Sequence, residues 1–458
     1  MSANSALAEH LAESGISHAG LAHRVVSLAA RRGLPAPRFN HASVARWLRG
    51  EQPRGLTPDL LAEVFTGSLG RPVTRADLGM RPARVPGDLG LSYEYDLDAA
   101  VSAATDLYGT DVHRRAMLAR SAYTAVAYLV PVLRWMTAPG GVMTDRAGAR
   151  RVGAANVTAI RELTATFRRL DNLFGGGYAR STVVQYLADE VAPLLRDGAC
   201  SAPVGRELFS AAAEMTLLAG WMAYDLEQHP IAQRYLIQAL RLAHAAGDTA
   251  LGGEILAAMS CQAAYLGDGP GAVDMARAAG DAARRVGSAA LLSEALVTEA
   301  HGHALGRDPR ACASALTGAH RALDRARPGD EPQWLGYFDA AYLAAKTGRA
   351  LLDAGDPTQA AASMRASLEM AGGYSRGAAF NLALLAGSLL EGGRVEEGCA
   401  AAHQALSAAD GIASARVTGE LASLGVRAAR HRDAAPVREL LPALARARPG
   451  VRALPAAR

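Results

Sequence analysis

Apolar residues recur at helical spacing along almost the whole chain, and Gly, Pro and Asp interrupt them at short intervals. Near the N-terminus, Leu7 and Leu11 lie one helical turn apart, Ser14-Gly15 ends that helix, and Ser17 suits the start of a second one. Periods of three and four residues, broken by turn-forming residues, predict short amphipathic helices rather than strands. We therefore expect an all-α protein with frequently terminated helices.

A third helix is predicted between Asn40, a good N-cap residue, and Gly50, which suits the position after a helix end. Val44, Trp47 and Leu48 recur at helical spacing and form its buried stripe. The stripe leaves four side chains largely outside: His41, Ser43, Arg46 and Arg49. The helix therefore presents a polar, basic face.

Further along, a unit of two helices around a Gly-, Asp- or Pro-containing turn recurs. The turns lie at 227–230, 267–270, 306–309, 355–357 and 391–393. A small residue follows each turn, at Ala232, Ala272, Ala311, Ala360 and Gly398. Three of the four spacings are close to 40 residues, whereas the spacing from Ala311 to Ala360 is about ten residues longer. A helical hairpin with this period is typical of an α-solenoid.

These patterns divide the chain into four segments. Residues 1–80 form a small helical domain, and 81–98 form a Pro- and Gly-rich linker. Residues 99–205 form a helical connector that leads into the repeats of 206–450.

Two of the repeat units resemble the tetratricopeptide repeat (TPR), in which small residues of the paired helices pack together. The matching residues are Gly220, Ala232, Leu236 and Ala239 in one unit, and Gly348, Ala360, Met364 and Ser367 in another. Such arrays bind partners along the concave surface formed by the first helix of each pair. Aligning the units places seven side chains there: Glu214, Trp221, Tyr224, Glu254, His303, Tyr342 and Arg349.

This predicted groove suits a peptide, a small molecule or a partner helix as effector. Packing of Trp221 and Tyr224 between helices is an equal alternative for those two residues. Lys346 is the only lysine among 48 basic residues, which argues against the TPR type that clamps a peptide carboxylate with several lysines.

The segment 43–53, Ser-Val-Ala-Arg-Trp-Leu-Arg-Gly-Glu-Gln-Pro, resembles the recognition helix and following turn of phage-repressor-type helix-turn-helix domains. The resemblance implies that this helix enters the major groove of double-stranded DNA. His41, Ser43 and Arg46 would then reach base edges, and Arg38, Arg49 and Arg54 would contact phosphates. Asn40 at the helix start completes the predicted DNA-binding set.

The connection between the second and third helices is longer than the 3–4 residues of a tight helix-turn-helix. A protein-interaction or dimer module with a solvated arginine face therefore remains an alternative for this domain. The charge distribution favours DNA: residues 1–90 hold 11 arginines against 7 acidic residues, whereas the remainder has 37 of each.

Residues 169–187, together with 43–53 and Arg75-Ala-Asp-Leu-Gly79, resemble a family of actinobacterial regulators, the TPR-containing negative regulators of sporulation and antibiotic production. The resemblance implies a transcriptional regulator of development or secondary metabolism, with a DNA-binding head controlled by an effector- or partner-binding repeat domain. We expect a homodimer, as is usual for helix-turn-helix proteins. The alternative is a TPR adaptor that binds proteins without contacting DNA.

The run Gly175-Gly176-Gly177 has two interpretations. No strand precedes it and its spacing is not G-x-G-x-x-G, so it is not a dinucleotide fingerprint. We interpret it as a helix end and tight connection. The alternative is an anion or effector loop with Asp171 and Arg180 beside exposed amides, which would also be the place for an enzyme site.

Two common catalytic and nucleotide-binding motifs are missing from the sequence: it contains no H-E-x-x-H and no P-loop. His301 and His303 are two positions apart, so on a helix they point to different sides. We therefore predict no enzyme, no cofactor and no metal. The four scattered cysteines, and the lack of a signal-like or long apolar stretch, predict a reduced cytoplasmic protein that does not enter a membrane.

Overall fold

In a computed structural model of the protein, the structure describes residues 4–31, 40–53, 57–80, 88–119, 122–141, 143–327, 329–370 and 372–446. The chain forms two compact units, Met1–Val85 and Pro86–Arg458. Helices dominate both units, which confirms the predicted all-α fold. None of the helices in the described ranges combines the length and the apolarity needed to cross a bilayer.

The described residues of the first unit form four short helices around one apolar core. They are α1 (Ser5–Ser14), α2 (His18–Arg31), α3 (His41–Leu48) and α4 (Thr57–Leu69). Local signals set their ends: the Asn4 side chain accepts a hydrogen bond from the Leu7 amide, and Gly15 ends α1 with φ +63°. Leu21, Val44 and Phe65 lie in the shared core.

The second unit begins with a group of helices that precedes the repeats. They are α5 (Leu97–Ala119), α6 (Leu129–Thr137), α7 (Ala154–Phe174), α8 (Gly176–Tyr186) and α9 (Ala192–Asp197). A 3-10 turn, Ala125–Tyr128, leads into α6, and one π-helical turn, Leu187–Val191, joins α8 to α9. Strand β1 (Arg150–Arg151) pairs in parallel with β2 (Gly198–Ala199).

Six helix pairs follow and form the TPR-like α-solenoid. The first helices of the pairs are α10 (Ala202–Asp225), α12 (Thr249–Tyr265), α14 (Ala289–Leu305), α16 (Ala340–Asp353), α18 (Ser375–Glu391) and α20 (Ala415–Ala428). The second helices are α11 (His229–Ala246), α13 (Gly269–Val286), α15 (Pro309–Leu323), α17 (Pro357–Ser367), α19 (Val395–Ala408) and α21 (Ala435–Arg446). Two further 3-10 turns lie at Gln333–Leu335 and Ala429–His431. Each predicted turn joins the two helices of one pair.

In both units that match the TPR pattern, the glycine of the first helix lies close to the second helix. A Cβ atom on Gly220 would lie 3.2 Å from Cβ of Tyr235 in the paired helix. A Cβ atom on Gly348 would lie 3.1 Å from the Ala360 carbonyl oxygen and still closer to Met364. These glycines are therefore required for the close approach of the paired helices.

The predicted linker 81–98 is wrong in its second half. Residues 81–87 lie outside the described residues, but the next segment packs on α11. The Gln238 side-chain amide donates hydrogen bonds to the Gly90 and Ser92 carbonyl oxygens, at 3.0 and 2.8 Å. The buried Tyr93 hydroxyl lies 2.8 Å from Nδ1 of His244. Polar side chains of α11 thus provide hydrogen-bond partners for backbone carbonyl groups of this segment. Its Gly and Pro content alone had suggested a linker.

The repeats return to the start of the second unit. The Ala413 amide donates to the Phe174 carbonyl oxygen at 2.7 Å, and the Gly177 amide donates to the Ala413 carbonyl oxygen at 2.9 Å. Helix α7 packs against α10 at one end of the array and against α18 near the other. The connector therefore contacts both the first and the fifth repeat pair. The sequence analysis had placed it only before the first pair.

Candidate functional site

In the first unit, the N-terminus of α3 is fixed by a reciprocal pair of caps. The Asn40 side-chain oxygen accepts hydrogen bonds from the Ala42 amide at 3.0 Å and the Ser43 amide at 3.4 Å. The Ser43 hydroxyl oxygen accepts one from the Asn40 amide at 3.4 Å. This confirms Asn40 as the N-cap and holds the first turn of α3 in a defined position.

The expectation that Ser43 lies outside the buried stripe is wrong. Its exposed fraction is 5%, because its hydroxyl turns back over the helix end and also accepts a hydrogen bond from Arg46. His41, Arg46 and Arg49 are exposed as predicted. Arg46 makes a solvated ion pair with Glu51 at 3.4 Å, a type of contact that contributes little stability. The predicted phosphate contacts Arg38 and Arg54 lie outside the described residues.

In the second unit, the first helices of the pairs and α7 surround a cavity of about 230 Å³. Aromatic side chains form much of its wall: Trp221, Tyr224, Tyr265, Trp334, Tyr337, Tyr342, Tyr374 and Phe380. The chain holds only 7 Phe, 13 Tyr and 4 Trp, so a third of its aromatic residues meet here. Tyr224 contacts Trp221 and Tyr265 edge to face, with ring centroids 5.3 and 5.4 Å apart.

Most of the predicted groove residues line this cavity: Trp221, Tyr224, Glu254, Tyr342 and Arg349. Glu214 does not line the cavity. It pairs at 2.8 Å with Arg168, which does. His303 was placed on the wrong side of its helix: it lies 3.5 Å from Glu299, and the lining histidine is His301. Tyr224 packs against Tyr265 of α12 and also lines the cavity, so both alternatives hold for this residue. Trp221 lines the cavity and contacts Tyr224 on its own helix.

The sequence analysis missed five lining aromatic residues: Tyr265, Tyr374, Phe380, Trp334 and Tyr337. The last two share one origin. They lie in an insertion between α15 and α16 that accounts for the one long repeat spacing. The Glu331 carboxylate attaches this insertion to the start of α14, where it accepts hydrogen bonds from the Ala289 and Ala290 amides, both at 3.0 Å. The long spacing from Ala311 to Ala360 was therefore the sequence signal for this insertion, which adds to the cavity wall.

The glycine run 175–177 is a tight connection, as our first interpretation held, and its alternative as an anion loop is wrong. The Gly176 amide donates to the Asp225 carboxylate at 3.0 Å, and the Gly177 amide donates to a carbonyl oxygen, so neither is exposed to a ligand. Asp171 pairs with Arg376 at 3.1 Å, whereas Arg180 is buried against Asp111. The two side chains thus have separate partners within the fold.

Two buried carboxyl groups meet beside the cavity. The Tyr337 hydroxyl lies 2.7 Å from Oε1 of Glu254 and 2.9 Å from Oε2 of Glu294. The exposed fractions of these glutamates are only 3% and 1%. One hydroxyl proton cannot serve both carboxylates, so this arrangement favours a second proton shared between the two side chains. Burial and then repulsion from Glu254 raise the pKa of Glu294 well above its ordinary value of 4.5.

This shared proton predicts a pH-dependent stability that Glu294→Gln removes. Between pH 4.5 and the raised pKa, the folded protein binds more protons than the unfolded chain, so its free energy of unfolding falls as pH rises through this window. Urea unfolding from pH 5 to pH 8 should show this fall in the parent protein and a flatter profile in Glu294→Gln. The exposed Glu162→Gln is the control and should follow the parent; equal slopes for all three proteins would contradict the shared proton.

Across the described ranges, no group of three His, Cys, Asp or Glu side chains is placed to hold a metal ion.

One protein family matches part of the chain. The SP15 N-terminal domain matches residues 7–81, which cover almost all of the first unit. No curated protein matches the sequence. The family match thus concerns the first unit, and residues 7–81 are similar to the SP15 N-terminal domain.

Proposed function

We propose that the chain is a cytoplasmic transcriptional regulator whose first unit binds double-stranded DNA and whose repeat unit binds an effector. The observation that carries the proposal is α3, a firmly capped helix whose exposed face bears His41, Arg46 and Arg49. A recognition helix needs an accessible N-terminal half with hydrogen-bonding and basic side chains, since that half meets the base edges. The formal charge excess in residues 1–90 supports contact with phosphates.

The repeat unit supports the second half of the proposal. Its inner helices enclose a cavity in which charged side chains lie among aromatic rings, which is the usual composition of a ligand site. The resemblance to actinobacterial TPR-containing regulators extends the proposal to genes for sporulation and antibiotic production. We propose that the regulator is a homodimer that binds paired half-sites.

The double substitution Arg46→Ala with Arg49→Ala should weaken DNA binding at least about tenfold, because it removes two exposed cations from the proposed recognition helix. The measurement is selection of genomic DNA fragments by the purified protein at two salt concentrations, followed by titration of the enriched sequence. The parent protein should enrich one motif with a steep salt dependence, and the slope of log affinity against log salt should fall by about 1 for each phosphate that the variant no longer neutralises.

A matched control separates recognition from general charge. Arg46 and Arg71 are each about half exposed and each paired with a half-exposed glutamate, Glu51 and Glu13. Arg71→Ala should therefore retain most of the affinity that Arg46→Ala loses. Equal losses in the two single variants, or no enriched motif at all, would count against α3 as a recognition helix.

An adaptor remains the second candidate because of an apolar face on α6 and the turn before it. Val126, Leu129, Leu133 and Met136 are spaced by three or four residues, and between 50% and 64% of each side chain is exposed. An exposed apolar stripe of this kind marks protein-interaction surfaces. If the selection yields no DNA motif, this face is where the partner of an adaptor should bind.

A further inference from the structure

Most cationic side chains that line the cavity have a carboxylate partner within the protein. Arg349 pairs with Asp353 at 2.8 Å, and Arg376 pairs with Asp171 at 3.1 Å. Such pairs are electrostatically complete and leave little charge for a ligand. Two lining cations differ, and they are Lys346 and Arg416.

Lys346 has only a weak acceptor as its hydrogen-bond partner, although its charge also opposes the rise in the pKa of Glu294. Its Nζ lies 3.0 Å from Sγ of Cys261 and 5.5 Å from the centroid of the Tyr342 ring. An ammonium group has three donors, and a thiol sulfur is a poor acceptor for one of them. Among the residues with described positions, no carboxylate oxygen lies within 4.0 Å of this ammonium. The only lysine of the chain thus stands in the cavity wall with capacity for an anion.

Arg416 is held by rings rather than by carboxylates. Its guanidinium carbon lies 4.5 Å from the centroid of Tyr224 and 4.5 Å from that of Phe380. The nearest carboxylate oxygen, on Asp225, is 4.0 Å away, and that oxygen already accepts a hydrogen bond from Ser414 at 2.9 Å. Its Nε is buried without a hydrogen-bond partner within the described part of the chain. This guanidinium therefore retains at least one unused donor.

Arg416 and Lys346 both act electrostatically on the same lining residue, Tyr224. Burial raises the pKa of the Tyr224 hydroxyl, and the positive charges of Arg416 and Lys346 both oppose that rise. The rings of Trp221 and Tyr265 continue the surface on either side of Tyr224. The structure thus places incompletely paired positive charge next to an extended aromatic surface.

We propose that the cavity binds a small aromatic carboxylic acid. Its carboxylate lies between Lys346 and Arg416, and its ring lies against the wall formed by Tyr224. A guanidinium edge with two donors matches the two oxygens of a carboxylate, and stacked or edge-to-face rings gain energy beyond the area they bury. Asp225 offsets part of the Arg416 charge, so a single negative charge suffices. The cavity volume lies just below the range of roughly 300–1,000 Å³ that ligand pockets span, which favours a small molecule over a peptide.

The proposal rests on the proposed function only in taking this ligand as the effector, since binding to the cavity is measurable without DNA. The experiment is calorimetric titration of the full chain with 2-naphthoate and indole-3-acetate, and with the uncharged amide of each. We expect at least one acid to bind with a Kd below about 1 mM and at least tenfold more tightly than its amide. This preference isolates the charge, because each acid and its amide share one ring system.

Variants assign the charge to the two cations. Lys346→Met and Arg416→Met should each weaken acid binding at least tenfold and leave amide binding nearly unchanged. Lys346→Arg keeps the positive charge and should retain most of the affinity for the acid. This variant tests the proposal even if Lys346→Met folds poorly. Arg277→Met removes an exposed arginine on α13 and should bind both ligands as the parent does.

Three outcomes would overturn the proposal: equal affinity for acid and amide, no binding of either acid up to several millimolar, or displacement of the acid by equimolar inorganic phosphate. DNA retention by the same preparations keeps the two proposals distinct. A protein that binds DNA but neither acid refutes the carboxylate site alone. A protein that binds an acid but no DNA refutes the regulator and leaves the site standing.

Discussion

Gly175→Ala should lower the free energy of unfolding of the second unit by about 2–6 kcal/mol, although alanine for glycine often stabilises a protein. Gly175 has φ +85° and ψ 163°, a backbone region that is essentially restricted to glycine and costs another residue about 1–3 kcal/mol. The added Cβ atom would also lie 2.7 Å from the Ala413 carbonyl oxygen. Backbone must move to relieve this contact, and overpacking of this kind costs about 1–3 kcal/mol.

Urea unfolding followed by helical circular dichroism measures this effect. The control is Gly153→Ala at the other end of α7, where φ is −126° and no atom lies within 4 Å of the added Cβ. That variant should unfold within about 1 kcal/mol of the parent protein. If both variants shared the parent's midpoint, the contact between Gly175 and Ala413 would not hold the array closed.

Asp111→Asn should cost about 3–5 kcal/mol, because it leaves the buried Arg180 guanidinium without a counter-charge. Asp111 accepts hydrogen bonds from Arg180, from Arg115 at 3.0 Å and from the Tyr235 hydroxyl at 2.9 Å. Burial alone would raise the pKa of this carboxyl, but Arg180 and Arg115 outweigh it and hold the pKa below its ordinary value. The carboxylate is thus charged in the fold, and asparagine cannot replace that charge.

The same helix provides the control for this prediction. Asp106 and Arg196 form an ion pair at 2.7 Å, but 61% and 41% of their side chains are exposed. Asp106→Asn should therefore change the free energy of unfolding by less than about 1 kcal/mol. Similar losses for Asp106→Asn and Asp111→Asn in urea unfolding would show that burial of Asp111 and Arg180 does not set the cost.

Helix ends and turns could be predicted because their causes are local. Asn40 caps α3 through amides two and three residues away, and each repeat turn carries its own Gly, Asp or Pro. The pairing of Gly348 with Met364 also follows from a pattern within one repeat. Burial of Ser43 was missed because a helical stripe predicts which side chains face the core, but not which short side chain turns back onto the backbone.

The cavity could be predicted in part for a similar reason. A residue's place on an inner helix follows from its repeat, which gave Trp221, Glu254 and Tyr342, although an error of two positions chose His303 over His301. The charge partners could not be predicted this way. Asp171 and Arg376 are 205 positions apart, and no periodicity links a connector helix to the fifth repeat pair. The packing of residues 88–96 on α11 depends on contacts of the same long range.

The contact between the connector and the last repeats also joins parts of the chain that are synthesised at different times. At roughly 5–20 residues per second, Arg376 leaves the ribosome about 10–40 s after Asp171, its partner 205 positions earlier. During that interval Asp171 and Asp225 lack their arginine, and the aromatic faces of α10 and α12 remain open to water and to other chains. A growing chain would therefore benefit from a chaperone at this stage, and it could not hold a ligand in the cavity until α20 had been made.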